Sequence, residues 1–489
     1  MRQLVSLCLA LLAAGCMVGP DYHRPVAQMP AQYKELAGWV PAHPADLDSK
    51  GAWWQLYNDP LLNQLESRVA LSNQNVKSYY AQFQEAREVV REAQAQLYPV
   101  LGATAGLTRQ GFGSGSGGVG TTVTGATGGR SGGAATTYTL QGTASWDLDV
   151  WGRIRRQIES NVAAAQVSAA DLQNATLSAQ GTLATDYMQL RYQDSLQDLL
   201  QATVRAYAAA LRITSNQVAA GTTTPADEAA AETQLDSARA SLINVGVARG
   251  QYEHAIAVLA GMAPADLTIP HATLAGTVPV PPPGLPATLL QRRPDIAAAE
   301  RAMEEENALI GVQVAAYYPD ISLSASYGWE STVFDKLISA ASRVWSLGAS
   351  ASETIFEGGA RSAAVAAARD AYDGSVANYR QTVLTGLQQV EDELVALRIL
   401  AQQAAAEDVA VRAAQRSVRI ALNEYRAGTQ AYTAVITEQT ALFSDQQAAL
   451  SVQAQRQVAS VALVQALGGG WDTGSLPSKN SLQKGLPFL

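Results

Sequence analysis

The chain has 489 residues, a formal net charge of -9 and an aromatic content of 7%. Negative charge spread along the whole length excludes nucleic acid as the main partner, and so few large rings exclude one bulky globular core, favouring alanine-rich rods packed side by side. The two cysteines, Cys8 and Cys16, and the scattered histidines His23, His43, His254 and His271 show no metal-ligand spacing and offer the mature chain no internal disulfide.

At the N-terminus, Arg2 precedes an apolar stretch, Leu4–Leu12, and then Ala13-Ala14-Gly15-Cys16. That is the layout of a signal peptide, since about nine apolar residues are too few to cross a bilayer. A cysteine directly after Gly15 predicts removal of residues 1–15 and attachment of diacylglycerol and an N-acyl chain to Cys16. Ala13 stands where the bacterial lipobox usually has Leu, and Met17, rather than Asp, favours delivery to the outer membrane. The plainer alternative is a cleaved secretory signal followed by an incidental cysteine.

Beyond an N-terminal segment, 16–60, the chain states one plan twice. Ala95-Gln-Leu-Tyr98-Pro99 matches Ala315-Ala-Tyr-Tyr318-Pro319 at an offset of 220, and Arg212-Ile213, Asn216 and Ala220-Gly221-Thr222 match Arg419-Ile420, Asn423 and Ala427-Gly428-Thr429 at 207. Each half, 61–265 and 291–470, reads helix, strand, loop, strand, long helix, sharp turn, long helix; a Pro-rich linker, 266–290, joins them, and 471–489 reads as a weakly structured tail.

Period-two alternation marks the strands. Ile321, Leu323, Ala325, Tyr327 and Trp329 alternate with Ser322, Ser324, Ser326 and Gly328, and segments 101–108, 138–148 and 347–355 behave alike. Tyr138, Trp146, Trp151, Trp329, Trp345 and Phe356 lie in or near them, where membrane-interface girdles need amphipathic rings. Proline-free runs with apolar residues every three or four positions follow each strand pair, and roughly 60 residues at about 1.5 Å each give rods on the order of 90 Å long. Gly181 and Gly386, in matching places of the repeat, are candidate breaks in those rods. The rods reverse at Gly221-Thr222-Thr223-Thr224-Pro225-Ala226-Asp227 and at Gly428-Thr429-Gln430-Ala431-Tyr432.

In lipid an open four-stranded sheet leaves backbone groups unsatisfied, and four strands cannot close. Copies must pool strands; two give eight and three give twelve, and the wider ring suits bulky solutes. The Gly/Ser/Thr-rich run from Gln110 to Gly133 reads as an external loop, and 330–343, with Val333, Phe334, Leu337 and Ile338, as a turn folding over the mouth.

Cys16-Met-Val-Gly-Pro-Asp-Tyr22, Trp53-Trp54 with Tyr57-Asn58-Asp59-Pro60-Leu61, Ser145-Trp146-Asp-Leu-Asp-Val-Trp151-Gly152-Arg153, Leu290-Gln-Arg292-Arg293-Pro294-Asp295-Ile296 and Ile310-Gly311 with Tyr318-Pro319 occur in that order. In this the chain resembles the TolC-like outer membrane factor family, in its lipoprotein branch serving resistance-nodulation-division efflux systems. The resemblance implies a mixed α/β membrane protein: a homotrimer with a 12-stranded transmembrane β-barrel, four strands per chain, continued by a long antiparallel α-helical periplasmic barrel. It implies an outer-membrane exit channel passively conducting drugs or other small toxic compounds, lipid-anchored and membrane-spanning, with a large periplasmic portion. The implied partners are a periplasmic adaptor, a resistance-nodulation-division inner-membrane pump and outer-membrane lipid, with no cofactor beyond the lipid on Cys16. Gly221, Thr222, Thr223, Gly428, Thr429 and Tyr432 are the expected adaptor-contacting tips, and Asp227, Glu228 and Glu438 the expected periplasmic gate; Ala434 stands where the family commonly has Asp. Asp227 reads equally as a helix-start residue.

Arg212 and Arg419 read as interhelical tethers or as solvated helix-end charges, and Arg292, Arg293 and Asp295 as a helix cap with salt bridges rather than a catalytic group. No nucleophile–base set or phosphate loop can be assembled, so no enzyme is expected. The alternatives within transport are a duct for type I protein secretion or for metal ions, the copper case disfavoured by only six methionines. Outside transport stands a surface-anchored coiled coil without a pore.

Overall fold

The computed structural model describes residues 17–27, 29–35, 51–111, 134–279, 286 and 289–483. The signal peptide, Cys16 and residues 112–133 of the glycine-rich loop lie outside the described residues. Helix α1, Pro60–Ser72, begins at Asp59, whose carboxylate accepts from the Leu61 and Leu62 amides with Pro60 preset for the first turn. Asn73 then caps α2, Gln74–Ala95, in the same way. Strands β1, Val100–Gly111, and β2, Ala134–Leu148, follow, and then a rod, α3, Arg153–Ala219, that reverses into α4, Pro225–Leu259. After the short α5, Leu289–Arg292, the second half supplies α6, Pro294–Ala315, β3, Asp320–Ser331, β4, Arg343–Ser352, the rod α7, Ala360–Arg426, and α8, Tyr432–Ala466; α9, Lys479–Gln483, comes last.

The repeat is kept at element boundaries. Both ends of α6 and β3 lie 220 residues beyond those of α2 and β1, and both ends of α7 and α8 lie 207 beyond those of α3 and α4. The rods are 67 residues each and their partners 35 each, so α3 and α7 run about 100 Å. The expected breaks do not occur: both rods run unbroken through Gly181 and Gly386, which are also two residues out of register at the 207 offset. These glycines instead make room. A Cβ on Gly181 would collide with the Gln465 side chain of α8, and one on Gly386 would press on the Arg293 guanidinium.

The sheet is antiparallel with order β1-β2-β3-β4. It is longer than the alternation suggested, except that β4 starts at Arg343 and stops at Ser352, leaving Ile355 and Phe356 beyond the strand and exposed. The tail is better packed than expected: Leu482 is buried against Val90 and Ile158, and the Gln166 amide donates to the Pro477 carbonyl.

A belt of extended chain wraps the rods midway. Residues 269–279 are tied down by Arg191 to the Pro270 carbonyl at 2.7 Å, by Gln457 to the carbonyls of Ala275 and Thr277, and by Ser460 to that of Pro279. The N-terminal segment does the same for the second half, the Lys34 and Glu35 amides bonding Glu391 and the Glu35 carboxylate meeting Arg398. Nearer the sheet, Arg156, 1% exposed, donates to the carbonyls of Val18 and Gly19 and to Asp21. There a Cβ on Gly19 would strike the Gly311 backbone, and one on Gly311 would strike the Arg156 side chain.

Candidate functional site: a polar wall and two helical tips

Register determines what each face of the sheet offers. Leu140 opposes Ala105 and Trp329, Ala144 opposes Leu101 and Ala325, and Tyr327 opposes Trp345 and Gly142. The apolar residues along the middle of the strands therefore share one face, while Val100, Ala135 and Val344 fall on the other. The other carries Thr104, Gln141, Thr143, Ser322, Ser324, Ser326, Ser346 and Ser350. On it, Ser322 bonds Ser350 at 2.8 Å and Ser326 bonds Ser346 at 2.7 Å. One greasy and one hydroxylated face is what a wall between hydrocarbon and water requires. Both outer strands, β1 and β4, have an unpaired edge, which lipid does not tolerate.

Aromatic rings collect at both ends of the wall. Toward the loops, Tyr138 meets Phe334 edge-on at 5.3 Å, and Tyr327 meets Trp329 at 5.9 Å. Phe334 is thereby held at the rim, while Ile338 remains 73% exposed. Toward the helices, Trp146 donates to the Leu97 carbonyl, and Trp151 stacks on Tyr318 at 4.7 Å while donating to the Pro319 carbonyl. These inner rings brace the strand-to-helix junctions.

At the far end the tips share one turn. Gly221 and Gly428 take φ 73° and 74° with open space where a Cβ would stand, so glycine is there for backbone conformation alone. The Thr222 amide returns to the Gln217 carbonyl at 2.9 Å and the Thr429 amide to that of Glu424 at 3.0 Å, with both threonine hydroxyls doubling the bond. This six-to-one closure satisfies the last carbonyls of each rod.

The tips differ in how the next helix starts. Thr224 and Asp227 form a reciprocal capping box, and Asp227 also accepts from the Thr223 hydroxyl at 2.5 Å. That hydroxyl, chiefly, holds the Asp227 carboxyl below the usual aspartate range. Glu228 accepts from the Ser215 hydroxyl at 2.5 Å, bridging α4 to α3. At the second tip Ala431 provides no side-chain cap, and Glu438 sits half-buried on α8.

Tyr432 does not belong with the exposed tip residues. It is 1% exposed, its ring packs on Tyr425 at 5.1 Å, and Tyr425 bonds Thr214 of the first hairpin. Burial foremost, with Tyr425, Tyr207 and Asp227 nearby, pushes its hydroxyl up to about 12. An aromatic side chain at the first helical position gains more by entering the seam with Ala210, Ala231 and Val435 than by meeting water. Gly221, Thr222, Gly428 and Thr429 are exposed and Thr223 half so.

The Arg292–Asp295 run is structural. Arg293 donates to Asp295, to Gln389 of α7 and to the Ala466 carbonyl ending α8, so the Arg-Arg-Pro-Asp run is a clamp. Among the described residues Arg212 and Arg419 tether nothing; both are exposed and unpaired there. No group of His, Cys, Asp and Glu among the described residues could hold a metal ion. Nothing in the pattern of residues marks Glu66, whose carboxyl, buried without a partner among the described residues, is pushed up to about 9 by desolvation.

A family model described as outer membrane efflux protein matches residues 65–262 and 285–469. The antibiotic efflux pump outer membrane protein ArpC of Pseudomonas putida is 29% identical over 473 residues, 96% of each chain. The cation efflux system protein CusC of Escherichia coli O6:H1 is 28% identical over 478 residues, 96% of this chain and 99% of its own. Among solved structures, the outer-membrane channel OprN is similar with a TM-score of 0.83 at 27% identity, over 93% of this chain and 100% of its own.

Proposed function

The chain belongs to the outer membrane efflux protein family, and on that premise we propose what it conducts, what it meets and how it is anchored. It is the outer-membrane channel of a tripartite efflux system, with the fold of trimeric channels in which a β-barrel continues into a long helical periplasmic conduit. Conduction, not catalysis, is its work.

The cargo is drugs and other small toxic organic compounds. Supporting this over a copper route, Met188 and Met303 are buried in cores and the Met262 sulfur accepts from Arg68, so the described helices carry no thioether ladder for a soft ion. The single observation behind conduction itself is the two-faced sheet with open edges. Deletion of the chain from its host, followed by inhibition assays with antibiotics, toluene and copper, tests the cargo: sensitisation to copper alone overturns it.

The partners are a periplasmic adaptor, met at Gly221, Thr222, Thr223, Gly428 and Thr429, and a resistance-nodulation-division pump that supplies the free energy. Asp227, Glu228 and Glu438 set a cation-attracting constriction at the tip end, supported by the acidic first turn of α4 and by Glu438 further along α8. Planar-bilayer reversal potentials of the Asp227→Asn, Glu438→Gln double variant should shift away from cation preference; an unchanged potential removes both residues from the lining. Cys16 carries the lipid anchor, supported by Met17 lying against Gly152 at the strand-to-helix junction, the depth at which acyl chains enter a leaflet. Mass spectrometry of the mature N-terminal peptide should find the acylated cysteine in the natural chain and not after Cys16→Ser; an unmodified natural peptide refutes the anchor.

A further inference from the structure

Toward the tips, arginines gather on one rod of each hairpin and carboxylates on the other, with Glu407, Asp408 and Glu424 the exceptions on α7. From Leu199 to Ala219 the charged residues of α3 are Arg205 and Arg212, and from Val409 to Asn423 those of α7 are Arg412, Arg416 and Arg419. Their partner rods carry the opposite sign: α4 opens with Asp227, Glu228, Glu232 and Asp236 before its first cation, and α8 reaches Arg456 only after Glu438 and Asp445. Arg205 and Arg412 are repeat equivalents at the 207 offset, as are Arg212 and Arg419. All four are exposed, and none makes an ion pair or hydrogen bond among the described residues.

Heptad spacing gives their direction. Arg191, Asp198, Arg205 and Arg212 follow one another at intervals of seven on α3, and Arg398, Arg412, Arg419 and Arg426 differ by multiples of seven on α7. Each series is therefore one stripe along its rod. The upper members lie under the belt: Arg191 on the Pro270 carbonyl, Asp198 on His271 at 3.3 Å, and Arg398 on Glu35. A belt lies outside the conduit it encircles, so the same stripes emerge below it on the outer surface, uncovered, and run toward the tips.

Between the stripes is a groove of about 370 Å³, floored by α8 and walled by α3 and α7, with Leu199, Ala206, Ile213, Leu422, Arg426 and Phe443 among its lining. Gln439 also lines it, 5% exposed, and its Oε1 has no hydrogen-bond donor among the described residues. Apolar walls, one unanswered acceptor and guanidinium rows along both flanks define a complementary shape.

We infer that this arginine-flanked groove docks an acidic amphipathic helix of the periplasmic adaptor, so that carboxylates select the partner. The helix places apolar side chains in the groove and carboxylates about two turns apart against Arg205 and Arg212 on one side and Arg412 and Arg419 on the other. A side-chain donor of the same helix answers Gln439 Oε1. Because each half of the chain presents the same pair of arginines, one helical sequence satisfies both rods. The inference rests on the adaptor being a partner at all, and deepens that reading by giving the partner a charge pattern.

The test uses the full trimer in nanodiscs, titrated with the purified full-length adaptor encoded with the host's efflux pump, in natural form and as R205E/R212E/R412E/R419E. Native mass spectrometry establishes that the variant is trimeric; if charge reversal prevents assembly, the four Arg→Gln changes replace it. Association with the natural channel should slow at least tenfold between about 50 and about 300 mM salt. The variant should bind at least tenfold more slowly at low salt and lose the salt dependence, and an adaptor with its groove-facing carboxylates changed to arginine should recover the natural rate. Equal binding by natural and variant channels overturns the inference while leaving the partner intact. Loss of retention on purified peptidoglycan sacculi with adaptor binding unchanged also overturns it, assigning the stripes to the cell-wall polymer. A natural channel that binds no adaptor at any salt overturns the partner reading instead.

Discussion

At the first tip the chain turns at Gly221 and restarts its helix at Thr224 with hydroxyl and carboxylate caps from its own sequence; at the second it turns at Gly428 through equivalent hydrogen bonds and restarts at Ala431 with none. What the second tip has in place of a cap is Tyr432, buried against Tyr425 in a seam shared with Ala210, Thr214 and Ala231 of the first hairpin. Two turns of the same geometry are thus held by different means. The first is stabilised locally, and the second by its neighbour. Separation of the hairpins therefore leaves the first tip folded and deprives the second of its support.

The largest expected effect comes from Tyr432→Ala, which empties the seam and removes about 3–5 kcal/mol of packing. Hydrogen exchange in 425–440 should accelerate by more than a hundredfold while 217–232 changes little; equal acceleration at both tips would break the asymmetry. Next, Gly221→Ala and Gly428→Ala should each cost about 1–2 kcal/mol, because a left-handed residue acquires a Cβ in otherwise open space. Unequal costs in thermal unfolding would show that the turns are not equivalent after all. Thr224→Ala should cost about 1 kcal/mol, confined to the first tip, whereas Ala431→Thr with Ala434→Asp should slow exchange at the second by a similar factor. If the transplanted cap has no effect, Tyr432 already fixes the helix start.

The smallest effect is that of acid. The Asp227 carboxyl titrates lower in the folded tip than in an open one, so its stabilisation is present above the ordinary aspartate range and is lost as pH falls below it. Exchange at the first tip should rise below about pH 4, and this rise should vanish in Asp227→Asn. The second tip, with Ala434 at the matching position, should show no such component. Acid sensitivity of equal size at both tips would mean that another carboxylate governs the first.

Much of this architecture was legible because two periodicities and two offsets agree. Period-two alternation located four strands, spacing of three and four located the rods, and the 220 and 207 offsets anticipated helix ends that the structure keeps to the residue. What escaped the sequence depends on contacts between distant residues. Tyr432 reads like an exposed turn residue until Thr214, more than two hundred positions earlier, is brought beside it. Gly181 and Gly386 read as weak points because glycine disfavours helix, yet close approach by Gln465 and Arg293 decides their role. Arg212 and Arg419 stand out in the sequence by repetition alone; that nothing among the described residues pairs with them reveals them as available charges.

The N-terminal segment carries one more consequence, for the order in which the protein is made. Its first residues, Val18 to Asp21, meet Arg156 early, but the seats of the rest lie late in the chain: Arg24 is held by Tyr379 and Glu300, and Glu35 by Arg398. A vectorially exported polypeptide delivers its first residues long before those seats exist. Docking of residues 24–35 is thus a closing event, delayed until Tyr379 and Arg398 have emerged, more than three-quarters along the chain, and of the high contact order that makes such steps slow. Biogenesis then has a built-in clock, in which fastening of the start reports that the second repeat has arrived and folded.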